Sequence, residues 1–289
     1  MSYGGMKQFF ILTICLLAAN VSKAQTSQQL DSLRKKFLEA IKNTPPPPDS
    51  ILRKKRQIRL KPPDTLRLVN IHPFKPLVFP PIFESSFFEN AKANQDTIAI
   101  TFYTVEIGTI YVETGKIIAC DPIVMRDAHP FGQRFPKGSF PVQLSIAKYD
   151  NDERVAFSRI YFSDHPVAKW EFAVAKGKKQ IPLASKDFYG YGVDGGEGVF
   201  IDSAANEDFT RMSNKDEDLW ETVFSDEMAK NYHNTWEFMV YDFGGHKLAC
   251  FSTGFGDGTY ATYVGYDANG KICRLLTDFG LISWWGKKK

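Results

Sequence analysis

An α+β fold dominated by antiparallel sheet, with one main helix inserted near residues 214–231, is what this sequence predicts for residues 96–289. Three observations lead there. From Asp96 onward, runs rich in β-branched and aromatic residues alternate with turn-forming residues at strand-like intervals. One stretch, Leu219, Trp220, Val223, Phe224 and Met228, instead spaces its apolar residues as a helix does, behind Ser213-Asn214-Lys215-Asp216, a capping box with Asp in place of Glu. Finally, Asn269-Gly270 sits between two strand-like runs, the preferred composition of a tight hairpin turn.

The strands follow in order. Thr97 to Ile107 forms the first, and Gly108 to Asp121 reads as two short strands around Thr114-Gly115. Ser139 to Tyr149 and Arg154 to Phe162 flank Asp150-Asn151-Asp152-Glu153, a loop with strong turn chemistry. After the helix, strands resume at Trp236 to Tyr241 and Leu248 to Ser252. In the last hairpin, a two-residue type I′ turn at Asn269-Gly270 sets Ala268 opposite Lys271, so that Tyr266 faces Cys273, Tyr263 faces Leu276, Ala261 faces Asp278 and Tyr260 faces Phe279. No internal repeat is present.

Ahead of residue 96 the chain changes character. Phe9 to Val21 is an apolar run of 13 residues interrupted by Thr13, Cys15 and Asn20, preceded by Lys7 and followed by Ser22-Lys23-Ala24. That is the pattern of a cleavable signal peptide, residues 1–24, and the run is short for a membrane span of about 20 residues. Ile14, where a lipidation signal wants a small residue, argues against a lipoprotein. The expected address is therefore extracytoplasmic, periplasmic or secreted, with no transmembrane span in the mature chain. Residues 25–95 read as a short amphipathic helix, with Leu30, Leu33, Phe37 and Ile41 at helical spacing, and then a proline-rich basic linker. Ten of the 16 prolines lie between Pro45 and Pro81. Proline lacks the backbone donor and disfavours helix in the residue before it, so this segment is expected to be extended.

Charge divides along the same boundary. Between Gln25 and Gln95 there are 13 Lys or Arg against 6 Asp or Glu, whereas from Asp96 onward 21 basic residues face 27 acidic ones. The cluster Arg53-Lys54-Lys55-Arg56, with Arg59 and Lys61, would suit peripheral contact with an anionic surface, or else keep a solvated linker extended. Export argues against nucleic acid as the partner, which leaves a protein or a small-molecule ligand. Three cysteines remain after removal of the signal, Cys120, Cys250 and Cys273, so at most one disulfide can form. Hydrophobic residues make up 43% and charged residues 24% of the chain, as in a folded globular protein.

Candidate chemistry resides in two glycine-rich acidic segments. The predicted register brings Asp278 beside Gly256-Asp257-Gly258, and Gly190-Tyr191-Gly192-Val193-Asp194-Gly195-Gly196-Glu197-Gly198 leads into Val199-Phe200-Ile201-Asp202. Formally Gly190, Gly192 and Gly195 match a dinucleotide-binding spacing, but a strand follows where the phosphate-binding helix should begin, so that reading is rejected. Asp194, Asp202, Asp257 and Asp278, if they converge, would hold a divalent cation through oxygen ligands or serve as an acid/base site. The bland alternative is that Asp194 and Asp202 cap backbone donors in tight turns. The five histidines show no metal-ligand spacing, and no serine stands in a nucleophile elbow. Trp170 and the Trp284-Trp285 pair read first as packing residues.

Cys120-Asp121-Pro122, Pro136-Lys137-Gly138, Glu153-Arg154-Val155-Ala156, Gly190 to Asp194, Gly256-Asp257-Gly258-Thr259-Tyr260 and Thr277-Asp278-Phe279 occur in this order. Together they resemble the bacterial family called domain of unknown function 4241, over roughly Gly108 to Phe279. The resemblance implies a shared fold, with no established activity or cofactor. It draws attention to Arg154, Gly256, Gly258 and Tyr260 as ligand-binding candidates, Arg154 as the partner of an acidic group or an anionic ligand. Two functional classes follow: a noncatalytic extracytoplasmic interaction or ligand-binding module, and, as the alternative, a hydrolase with an acidic, metal-assisted carboxylate site.

Overall fold

The computed structural model describes residues 67–70, 79–95, 97–183, 185, 187–216 and 218–284. The expected signal peptide, the amphipathic helix over 27–43, the basic cluster at 53–61 and the Trp285 tail lie outside the described residues.

Among the described residues thirteen strands form two antiparallel sheets. In chain order they are β1 (Arg67–Asn70), β2 (Ala91–Gln95), β3 (Ile98–Val112), β4 (Ile117–Cys120), β5 (Gly138–Tyr149), β6 (Asp152–Tyr161), β7 (Lys169–Phe172), β8 (Asp187–Val193), β9 (Glu197–Asp202), β10 (Phe238–Phe243), β11 (His246–Ser252), β12 (Gly258–Tyr266) and β13 (Ile272–Asp278). The larger sheet runs β1-β8-β12-β13-β6-β5-β3-β2, with β7 also paired to β12; the smaller runs β10-β11-β9-β4. Among the described residues three helices carry α geometry: α1 (Ile82–Ser85), α2 (Ser203–Ser213) and α3 (Leu219–Glu221). Among the described residues no helix is long and apolar enough to cross a membrane.

The two sheets face each other across one core. Val142, Leu144, Val264 and Leu275 of the larger sheet meet Ile117, Phe200, Ala249 and Phe251 of the smaller. Two further apolar layers cover the outer faces. Phe83 and Phe87, Trp170 and Phe172, and Leu281, Ile282 and Trp284 pack on the back of the larger sheet. Ala205, Phe209, Val223, Phe224 and Met228 pack on the back of the smaller one. Central strands are therefore buried on both sides: Val155–Ile160 and Cys273–Asp278 are buried throughout. Both strands carry polar side chains into these buried layers, Ser158 and Arg159 in one and Arg274, Thr277 and Asp278 in the other.

Several expectations require correction. The longest helix among the described residues is α2, ahead of the predicted one, and Ser213 closes it instead of capping a new one. Asp202 supplies its N-cap by accepting from the Ala204 amide. The span predicted as one main helix holds α3 followed by a π-helical turn, Thr222–Glu227. Strand β3 is continuous through Gly108, where the pairing with β5 shifts, so the expected break at Ile107/Gly108 is a bulge. Residues ahead of Asp96 also enter the fold: β1 pairs with β8, β2 pairs with β3, and Phe83 is fully buried.

The final hairpin follows the predicted register from Gly265 outward, with Ala261 opposite Asp278 and Tyr263 opposite Leu276. Its tip differs. The Gly270 amide donates to the Asp267 carbonyl and the Asp267 amide to the Lys271 carbonyl, so the loop has three residues, with Gly270 at φ +73°. A bulge beside Tyr266 pairs that residue with Ile272, not Cys273, and restores the register. Cys120, Cys250 and Cys273 are free and buried. Cys120 and Cys250 oppose Val199 from its two sides. Two strand spacings place their Cα atoms about 9–10 Å apart, beyond the reach of a disulfide.

Candidate functional site

Strand β8 belongs to the larger sheet and β9 to the smaller, so the Asp194-Gly195-Gly196 link between them crosses one edge of the sandwich. Asp121, buried at the end of β4, organises this link. One of its carboxylate oxygens accepts from the amides of Asp194 at 2.7 Å and Gly195 at 2.9 Å, and the other accepts from Ile123 at 2.7 Å. Asp121 is followed by proline at the first position of a 3-10 turn, Pro122–Asp127, which needs no donor there. A single carboxylate thus satisfies three amides from two segments distant in sequence.

The Thr253–Gly258 loop lies against that link. The Thr253 amide donates to the Gly196 carbonyl at 3.0 Å, and Gly258 pairs with Val193. Gly196 and Gly256 both have positive φ, and a Cβ on Gly196 would stand 3.7 Å from the Gly256 Cα. Glycine at both positions permits the backbone turn and the close approach together. The loop is tied down at its tip: the Thr253 hydroxyl and the Tyr260 hydroxyl both donate to the Gly256 carbonyl, at 2.9 and 2.6 Å. What it presents outward is Phe255, 68% exposed. Across the glycines stands Ile123, 61% exposed, 3.1 Å from where a Gly195 Cβ would lie. Arg154 places its guanidinium 5.5 Å from the centre of the Phe255 ring while its Nε binds the Asp152 carboxylate at 3.0 Å.

Carboxylates surround this glycine floor. Asp194 and Asp257 are exposed and form no ion pair among the described residues. Glu197 is half-buried beside Ser252, its partner in the β9–β11 ladder. Burial, then the neighbouring Glu237 and Asp121 charges, push its carboxyl up to about 7. Burial likewise raises Glu237, whose backbone amide donates to the Ser252 hydroxyl at 2.9 Å.

The four predicted carboxylates do not form one centre. Asp194 and Asp257 stand next to the glycines of the two segments that meet at Gly196 and Gly256. Asp202 is buried and committed to the Ala204 amide and to the amide and hydroxyl of Thr114. Asp278 is buried on the opposite face of β12–β13 from Tyr260, accepting from the Gly280 amide at 2.8 Å and the Trp284 indole at 2.7 Å. Among the described residues no group of three His, Cys, Asp or Glu side chains could hold a metal ion. Of the ligand candidates, Gly256 forms the floor, Gly258 opens β12, Tyr260 anchors the loop from beneath, and Arg154 has Asp152 as its acidic partner. Sequence reasoning missed Asp121, Glu197 and Glu237 as site residues. Asp-Pro at a turn start is a readable cap signal for the first, whereas the other two owe their character to burial and proximity.

Fold and site together define a mostly β, two-sheet domain with a glycine-floored surface built by segments from both sheets. The chain belongs to the family described as protein of unknown function (DUF4241), which matches residues 110–277, more than half of its length. No curated protein and no solved structure matches it.

Proposed function

We propose that this chain is an exported, noncatalytic binding module whose ligand-facing surface is the glycine floor between Ile123 and Phe255. Its ligand is a protein or peptide segment presenting a Lys or Arg beside apolar side chains. The observation that carries this reading is Phe255, held out to solvent on a loop fixed by several hydrogen bonds, with unpaired Asp194 and Asp257 each next to a floor glycine. An exposed aromatic on a rigid support loses little entropy on binding, and the surrounding carboxylates favour a cationic partner. Export is supported by the Phe9 to Val21 run and the small residues before Gln25. The hydrolase alternative has less support, because Asp202 and Asp278 are already spent on nearby donors.

Screening the full-length chain's mature form against a synthetic peptide array tests both parts. N-terminal sequencing of the exported protein is expected to begin at Gln25. Bound peptides are expected to be enriched in Lys or Arg next to apolar residues, with affinity falling at high salt. Phe255→Ser and the double variant Asp194→Asn/Asp257→Asn should each weaken binding about tenfold, or about 1.4 kcal/mol. Equal capture of acidic peptides, or binding indifferent to Phe255→Ser, would sink the assignment.

A further inference from the structure

A second concavity lies at the other end of β12. Gly258, at the glycine floor, and Tyr266, at this cleft, are the two termini of that strand, ~26 Å apart at about 3.3 Å per residue. The cleft has a volume of about 720 Å³, within the range of small-molecule sites. Phe135, Phe162, Tyr266 and Ile272 give it apolar walls. The first two rings stack with their centres 5.8 Å apart.

The polar groups that line it divide by whether they are already engaged. Gln133 donates its amide to the Phe172 carbonyl and accepts from the Val174 amide. Asp267, the one carboxylate of the lining, is buried: one oxygen accepts from the amides of Asn269 and Lys271 at 2.8 and 2.9 Å, the other meets His165 Nδ1 at 2.7 Å. The His165 hydrogen bond and those amides hold its carboxyl below the usual range, so it stays ionised and fully engaged. Its bond to Nδ1 holds the imidazole beside the cleft. The exposed Asp164 adjoins this wall without lining it. What remains unengaged is Arg134, Lys271 and the Ser163 hydroxyl, all able to donate hydrogen bonds and two of them permanent cations.

We infer that this cleft binds a small organic anion, an apolar or aromatic body carrying one phosphate or carboxylate group. The body lies against Phe135, Phe162 and Ile272, and the anionic head meets Arg134 and Lys271, with His165 held in place by Asp267. Arg offers a planar pair of donors and Lys a mobile point charge, a combination suited to a tetrahedral or planar oxyanion.

Calorimetric titration of the full-length chain tests this, with phenyl phosphate and benzoate as probes, benzyl alcohol as the uncharged control and inorganic phosphate as the bodiless one. Saturable one-to-one binding of phenyl phosphate or benzoate is expected, at least tenfold tighter than either control. Arg134→Gln and Lys271→Gln should each weaken it about five- to tenfold without shifting the melting temperature, since both side chains are exposed. Phe255→Ser, at the far end of β12, should leave it unchanged, which separates this cleft from the glycine floor. Binding of benzyl alcohol or of inorganic phosphate as tight as that of the charged aromatics overturns the inference, as does a double Arg134→Gln/Lys271→Gln variant that binds like the parent.

Discussion

Glu197 and Asp278 are both carboxyls held above their ordinary range, yet removing their charge should have opposite effects. Burial raises Glu197 from 4.5 to about 7 and Asp278 from 3.8 to about 6. In each case the folded state holds its proton more tightly than the unfolded chain does. Stability is therefore unpenalised below the unfolded value, falls as pH rises through the window between the two values, and stays lower above it. For Glu197 no hydrogen bond to its carboxylate among the described residues offsets the penalty. Glu197→Gln should stabilise the protein at pH 8 by on the order of 1–2 kcal/mol once solvent screening is allowed for, and make no difference at pH 4. Asp278 differs because its two oxygens accept from the Gly280 amide and the Trp284 indole. An asparagine can accept only one of these and turns its own donor toward the other, so Asp278→Asn should cost about 1–3 kcal/mol despite the raised carboxyl. Urea unfolding of both variants at pH 4 and pH 8 checks the pair. A stabilised Asp278→Asn protein would show that the carboxylate is not a structural acceptor.

At the level of single elements, α2 shows what was legible and what was not. Its sequence, Ser-Ala-Ala-Asn-Glu-Asp-Phe-Thr-Arg-Met-Ser, has Phe209 as its one large buried residue, so it lacks the apolar stripe that marks a helix. Residues 219–228 have that stripe, but their ladder is broken by a π-helical turn. What holds α2 is its first turn, where Asp202 caps the Ala204 amide and also binds Thr114 from the β3–β4 connection. That second contact spans 88 residues and has no local signature. Asp202→Ala should destabilise the protein by about 2–3 kcal/mol, more than a lone cap, because it leaves donors from two segments unmet. Hydrogen exchange should speed up together at the Ala204 and Thr114 amides; acceleration at Ala204 alone would mean that the long-range contact contributes nothing. The last hairpin was legible over most of its length for the opposite reason: its strands are joined locally, and the period-two pattern fixes which residues share a face. Only its tip escaped, since a three-residue loop and a compensating bulge leave the distant register the same as a two-residue turn would.

For the molecule as a whole, the decisive contacts join segments that no local pattern connects, and the sharpest case is the stretch before Asp96. Phe83 stands among Phe157, Trp170, Tyr263 and Trp284, with ring centres between 4.7 and 5.8 Å away. Its neighbour Glu84 is the shared carboxylate of Arg159, at 3.4 Å, and Arg274, at 3.2 Å. Both arginines stack on aromatic rings, Phe87 and Tyr161. Burial and the nearby Arg274 charge act against Glu84 and pull Arg159 down to about 10, so this acid offsets two buried cations that would otherwise repel. The short helix α1 thus closes the back of the larger sheet by apolar contact and charge balance together. Phe83→Ala should cost about 3–5 kcal/mol, as expected for a buried ring whose surroundings cannot collapse into its place. A fragment beginning at Asp96, the boundary that proline content suggests, should lose both contributions, keep strand-like circular dichroism, and bind a hydrophobic dye without a cooperative melt. Restoring residues 79–95 should recover the cooperative transition, because Phe83 and Glu84 return with them. If the shorter fragment instead melted cooperatively within a few degrees of the full chain, the back layer would be ornamental, and the core between the two sheets would suffice to define the domain.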